Sequence, residues 1–149
     1  MGRRYRNIKK RLRKERKKEQ KKTRVSKTKI EAKVAQYLDD LRLDYKQNHH
    51  IARFNVDFLI RDKYIVECYG NFWHCNPQKY TSDFYNRGLK CEAHERWTKD
   101  QKRQEDLEAL GYQFLALWET EINGAPKLCK IKVMRLLSDS HKSTLDKHL

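Results

Sequence analysis

Two short apolar runs, close together in the chain, each carry one carboxylate, and this constrains the fold more than any other feature. Val56-Asp57-Phe58-Leu59-Ile60 and Tyr64-Ile65-Val66-Glu67-Cys68-Tyr69 are rich in β-branched and aromatic residues, with Arg61-Asp62-Lys63 between them as a turn. They read as neighbouring strands, Arg53–Ile60 and Tyr64–Tyr69, preceded by a third, Tyr45–Ile51, with a tight connection near Ala52. A buried carboxylate without a partner is costly, so Asp57 requires either hydrogen-bond donors or a cation. The plainer alternative is a strand-end aspartate capping a turn. After Glu67 the run breaks at Gly70 and presents Phe72-Trp73-His74. Two acids on adjacent strands beside a histidine form a plausible site for a divalent cation and an activated water.

Helical periodicity flanks these strands. From Ser26 to Leu43, Ile30, Val34, Leu38 and Leu41 share one face, and Thr28-Lys29-Ile30-Glu31 fits a capping box with Thr28 as N-cap. Asp39, Asp40 and Asp44 read as solvated acids. Asn76-Pro77 opens a loop, and Lys79–Arg87 is irregular or a short helix. Glu92 to Leu110 is a second long helix with Trp97, Leu107 and Leu110 inward and charges outward, stopped by Gly111. Tyr112–Trp118 is almost wholly apolar and reads as a central strand covered on both faces. Asn123-Gly124 is a turn, Pro126 suits a first helical position, and Leu128, Ile131, Met134 and Leu137 mark a last amphipathic helix. The order is arm, α, β, β, β, loop, α, β, α, with no internal repeat.

Charge divides the 149-residue chain in two. Residues 1–29 hold 16 of the 35 Lys and Arg but two of the 20 Asp and Glu, a net of +14, which leaves +1 for the other 120 residues. The division expected is a basic arm over 1–27, disordered or transiently helical, a globular domain over 28–138, and a frayed tail over 139–149. With so few apolar residues the arm cannot pack, and nucleic-acid phosphates are its natural partner; Arg3, Arg4, Arg6, Lys9, Lys10, Arg11 and Arg13 are its leading contacts. No apolar run is long enough to span a membrane and no secretion signal opens the chain, so an intracellular location is expected. The four cysteines then read as thiols or metal ligands before disulfides.

The residues Tyr69-Gly-Asn-Phe-Trp-His-Cys-Asn-Pro77, Tyr80, Trp97-Thr-Lys-Asp100-Gln-Lys-Arg103, Leu107, Gly111-Tyr112 and Leu117-Trp-Glu-Thr-Glu-Ile122 form an ordered set. With the acids on the strands they resemble the PD-(D/E)xK nuclease superfamily. Within it they are similar to the very-short-patch mismatch repair endonucleases and to homing endonucleases with a Glu-Asp-x-His-Asp motif. The resemblance covers roughly residues 28–137. It implies an α/β restriction-endonuclease-like core, a central mixed sheet flanked by helices. It also implies metal-dependent hydrolysis of phosphodiester bonds in double-stranded DNA.

Carried over by position, Asp57, Glu67 and the Cys68 carbonyl hold Mg2+ (or Mn2+). The superfamily's lysine is replaced by Tyr69. His74 takes its place as general base toward a water on the metal, and Asp100 or Glu31 orients that ring or the metal's waters. Glu31 as a plain helix cap, His74 as an idle loop residue and Asp100 as an exposed acid paired with Lys99 or Arg103 are the competing readings. Phe72 and Trp73 correspond to aromatics that wedge between base pairs, with Tyr85 as a companion. A structural zinc of the mismatch enzymes is not expected, because Asn71, Asn76 and Thr120 stand at its ligand positions. The rival to an enzyme is a non-catalytic DNA- or RNA-binding protein that keeps the fold. The recognised sequence, nicking against double-strand cutting, and a monomeric or higher state stay open.

Overall fold

Strands β1 (Tyr45–Ile51), β2 (Phe54–Ile60) and β3 (Tyr64–Tyr69) form an antiparallel meander, as their sequences require. The structure is a computed structural model that describes residues 28–139; the basic arm and the tail from 140 onward, with all seven arm residues named above, lie outside the described residues. The β2–β3 connection places Arg61 and Asp62 at φ 52° and 53° and returns the Lys63 N–H to the Ile60 carbonyl, a type I′ geometry achieved without glycine. Two residues at Tyr85–Asn86 (β4) and two at Cys91–Glu92 (β5) form a separate small hairpin where a loop or short helix was expected. Strand β6 (Gln113–Trp118) adds parallel to β3, giving the mixed order β1-β2-β3-β6.

Helix α1 (Lys29–Asp40), the short α3 (Glu119–Gly124) and α4 (Pro126–Ser138) cover one face, and α2 (Ala93–Ala109) covers the other. The larger core joins Val34 and Leu38, Phe58 and Ile60, Val66, Leu117, Ile122, Val133 and Leu137; the smaller joins Ile51, Val56, Leu59, Ile65 and Leu107. Four expectations are corrected. β6 is apolar because helices lie on both its faces, yet it is an edge strand, not a central one. Leu110 is 55% exposed at the end of α2. In α4 the inward residues are Cys129, Val133 and Leu137, while Leu128, Ile131 and Met134 face outward, and Asn123-Gly124 ends α3 instead of forming a free turn.

Two helix ends share one device. Gly111 at φ 95° donates to the Glu108 carbonyl while Tyr112 donates to Leu107, a Schellman closure that aims the chain into β6. Arg42 closes α1 in the same way, with Arg42 bonded to Asp39 and Leu43 to Leu38. Phe58 is fully buried between α1 and the sheet and meets the Tyr45 ring edge-on at 5.4 Å. Phe58→Ala is expected to lower unfolding free energy by about 3–5 kcal/mol, measured by urea denaturation; a loss below about 1 kcal/mol would show that this core does not carry the fold.

Candidate active site

The sheet opens between β2 and β3. β1 stays paired to β2 as far back as Phe54, and β3 stays paired to β6 as far as Tyr69, but the β2–β3 ladder ends at Phe58↔Val66. At the gap a side chain replaces the missing ladder bond: the Cys68 N–H donates to Asp57 Oδ2 at 2.8 Å. N–H and C=O of one strand residue point to the same edge, so the Cys68 carbonyl also faces this opening. A cleft of about 610 Å³ occupies the opening, and Glu31, Asp57, Glu67, Cys68 and His74 all line it, with Phe72 and Trp73. Asp100 lies behind it, bonded to the His74 ring, while Tyr85 stands exposed on β4 outside the lining.

The histidine loop is fixed by its own backbone. His74 N–H returns to the Gly70 carbonyl, Cys75 to Phe72, and Asn76 to Asn71, with Cys75 in the left-handed region at φ 50°. This single helical turn with a Schellman end sends Phe72 and Trp73 outward, Trp73 to 56% exposure, and His74 inward. The buried Asn86 supports it from β4 by donating to the Phe72 carbonyl at 2.7 Å, and the Trp97 indole donates to the Cys75 carbonyl at 2.6 Å. Gly88 lies against the Phe72 and Trp73 rings; a Cβ there would sit 3.1 Å from each. Asn71, Asn76 and Thr120 are bonded to one another: the Asn76 amide donates to Asn71 Oδ1 at 2.8 Å, and the Thr120 hydroxyl donates to the same oxygen at 3.1 Å.

His74 stacks on Tyr69 with ring centres 3.9 Å apart and nearly parallel planes. Its Nδ1 is 2.8 Å from Asp100 Oδ2. Arg96 bonds both oxygens of the same carboxylate, Oδ1 at 2.6 Å and Oδ2 at 3.2 Å. Arg96 Nη2 also lies 3.2 Å from His74 Nδ1. The closer partner of Nδ1 is the Asp100 carboxylate, which can only accept, and that contact favours the tautomer with the hydrogen on Nδ1 and Nε2 as the ring's acceptor. Asp100, and not Glu31, orients the ring: Glu31 Oε1 accepts from the Thr28 hydroxyl at 2.8 Å, and Thr28 Oγ1 takes the Glu31 N–H in turn. Thr28 is the N-cap as expected, but the capping box is not closed, since Glu31 meets the Thr28 hydroxyl and not its backbone N–H; Glu31 faces the cleft as well.

Arg103 escaped the sequence reading. Its Nη2 is 2.5 Å and its Nε 3.2 Å from the two oxygens of Glu67, Nη2 also donates to the Asn55 carbonyl at 2.7 Å, and its guanidinium lies over the Phe54 ring. Asp100 thus pairs with Arg96, neither with Lys99 nor with Arg103. A signal was present: Arg96, Asp100, Arg103 and Leu107 follow i, i+4, i+7, i+11, one stripe of α2 with a buried leucine at its end. Part of the charged stripe assigned to solvent points at the sheet.

Burial raises the Asp57 carboxyl to about 7, with the charges of Glu67 and Glu31 adding to the rise; the Cys68 N–H and Arg103 oppose it. Burial, with the charges of Asp57, Glu31 and Glu67, also pushes the Cys68 thiol far up. Among the described residues no three His, Cys, Asp or Glu side chains are drawn together as a ready metal cluster. The donor set nonetheless suits a hard cation. It offers oxygen from Asp57, Glu31 and the Cys68 carbonyl, in a cleft lined by the carboxylates of Glu31, Asp57, Glu67 and Glu119 and by Lys29, Arg96 and Arg103.

No protein-family model matches the chain. A myrosinase of Brassica napus is 38% identical over 53 residues, which are 36% of this chain and 10% of that protein, so the chain spans about a tenth of this relative. Among solved structures, the catalytic domain of the homing endonuclease I-Bth0305I is similar, with a TM-score of 0.51 and 22% identity, covering 73% of this chain and 93% of that domain. The architecture is therefore α/β with a central mixed sheet flanked by helices, a nuclease-like core.

The raised Asp57 carboxyl has a consequence for stability. Between the ordinary aspartate value of 3.8 and about 7 the folded state keeps a proton that the unfolded state has lost, so stability falls as pH rises through this window. In chelator at about pH 8.5, Asp57→Asn is expected to melt about 5 °C higher than the parent, with the gap closing near pH 4. Equal melting temperatures at both pH values would contradict a buried carboxyl with a raised pKa.

Proposed function

We propose that the chain is a metal-dependent DNA endonuclease that hydrolyses phosphodiester bonds in duplex DNA, of the patch-repair or homing type. The observation that carries this reading is the convergence of Glu31, Asp57, the Cys68 carbonyl and the Asp100-held His74 on one cleft rimmed by exposed Phe72 and Trp73. The likeness to a homing endonuclease catalytic domain supports it at the level of fold. Asp57 and the Cys68 carbonyl would anchor Mg2+ or Mn2+, with Glu31 beside them. A divalent cation there supplies charge stabilisation to the phosphodiester and lowers the pKa of a water.

The chain's own residues do the rest. His74 Nε2 takes the proton of the attacking water, and Asp100 at Nδ1 holds the ring in that tautomer and stabilises the imidazolium that forms. The water oxygen forms a bond to phosphorus as the bond from phosphorus to the leaving oxygen breaks, and solvent protonates the leaving group. Phe72 and Trp73 offer two rings at the rim for stacking against an opened base step, with Tyr85 on the neighbouring hairpin. Thr28 and Lys29 line the cleft, and the basic segment 1–27 that precedes them in the sequence would supply charge for the phosphate backbone.

Nicking of supercoiled plasmid in Mg2+ tests the reading. Asp57→Ala is expected to abolish it, and His74→Ala to slow it about 100-fold or more. An Asp57→Ala protein that nicks like the parent contradicts the proposal. A parent that binds duplex or structured RNA but never cuts favours a non-catalytic nucleic-acid binder.

A further inference from the structure

Glu67 came from the sequence as a metal ligand, yet both of its oxygens are committed. Arg103 meets them through Nε at 3.2 Å and Nη2 at 2.5 Å, the two-point fork that guanidinium and carboxylate favour. The carboxylate is 5% exposed, and this bidentate bond is what compensates its burial. Arg103 is in turn overdetermined: the Asn55 carbonyl takes a further bond from Nη2, and Phe54 lies under the guanidinium. Burial works against its charge, but the hydrogen bonds and charge of Glu67 overcome this and raise its pKa. Its remaining nitrogen, Nη1, has no hydrogen-bond partner among the described residues, and Arg103 lines the same cleft as Asp57.

We infer that Glu67 is not a ligand of the cation but the anchor of Arg103, which it fixes in the cleft as a positive group for a phosphate oxygen of the substrate. The inference rests on the nuclease reading above and assigns within it a residue pair that the sequence divided between a ligand and a surface charge. A guanidinium held by carboxylate, carbonyl and ring before substrate arrives loses little freedom on meeting a phosphate. It also places a fixed cation beside the strand end where Tyr69 stands in place of a lysine. Arg103 is then a binding residue and Glu67 a positioning residue.

Mn2+ titration of the full chain without DNA separates ligand from anchor. Glu67→Gln is expected to bind Mn2+ within about threefold of the parent and Asp57→Ala at least about tenfold more weakly. Arg103→Gln, which frees Glu67, should bind as well as the parent or more tightly. A tenfold loss in Glu67→Gln overturns the inference and leaves the nuclease reading standing. Under single turnover, Glu67→Gln and Arg103→Gln should each slow cutting, and the double variant should be no slower than Arg103→Gln alone; independent, multiplying losses contradict a shared role. A parent that neither binds Mn2+ nor cuts sinks the nuclease reading instead. In that case the Arg103 Nε–Hε resonance decides the pair on its own: it moves in Glu67→Gln if the anchor holds Arg103, and an unmoved resonance refutes the anchor.

Discussion

A single hydrogen bond governs this site: the Cys68 amide donates to the Asp57 carboxylate where the two central strands part. Had the β2–β3 ladder continued past Val66, backbone would have met backbone and no cleft would exist. The carboxylate satisfies the orphaned amide and stays in a poorly solvated place, which is why its pKa is raised. The opening also turns the Cys68 carbonyl toward the same space. The cleft, the oxygens that face it and its electrostatics thus follow from where one ladder stops.

The second layer of the design is the long helix α2. Its buried stripe begins and ends apolar, at Ala93 and Leu107, and is polar between them. Arg96 and Asp100 serve the histidine, and Arg103 serves Glu67. One helix therefore fixes both edges of the cleft from behind, and the Schellman turn at Cys75 brings His74 within its reach. The aromatic rim depends on the same turn, because the bonds that send His74 inward leave Phe72 and Trp73 outside.

The strand pattern was legible because period-two runs of branched and aromatic residues have few other solutions: β1 and β3 fall on the expected residues and β2 begins one later. Thr28 and Gly111 were legible because caps have local chemistry. Convergence of Glu31, Asp57, Glu67 and His74 on one cleft was also anticipated, although their roles belong to the proposal. What failed was anything set by three-dimensional neighbours. An apolar edge strand and an apolar central strand look alike when helices cover both faces, which is why β6 was misplaced. In α4 the apolar residues nearly encircle the helix, so the pattern did not choose between Val133 and Met134. Arg103 was hidden because an arginine among charges reads as solvated until its partner, 36 residues away, is known.

The central claim is that the gap between β2 and β3 holds a divalent cation against Asp57. Anomalous scattering from crystals of the full chain soaked in Mn2+ addresses it most directly. The account predicts a peak within about 2.5 Å of an Asp57 oxygen and of the Cys68 carbonyl, with Glu67 still joined to Arg103. Well-ordered crystals showing no peak in the cleft, or a peak on Glu67 with Asp57 left aside, would contradict it.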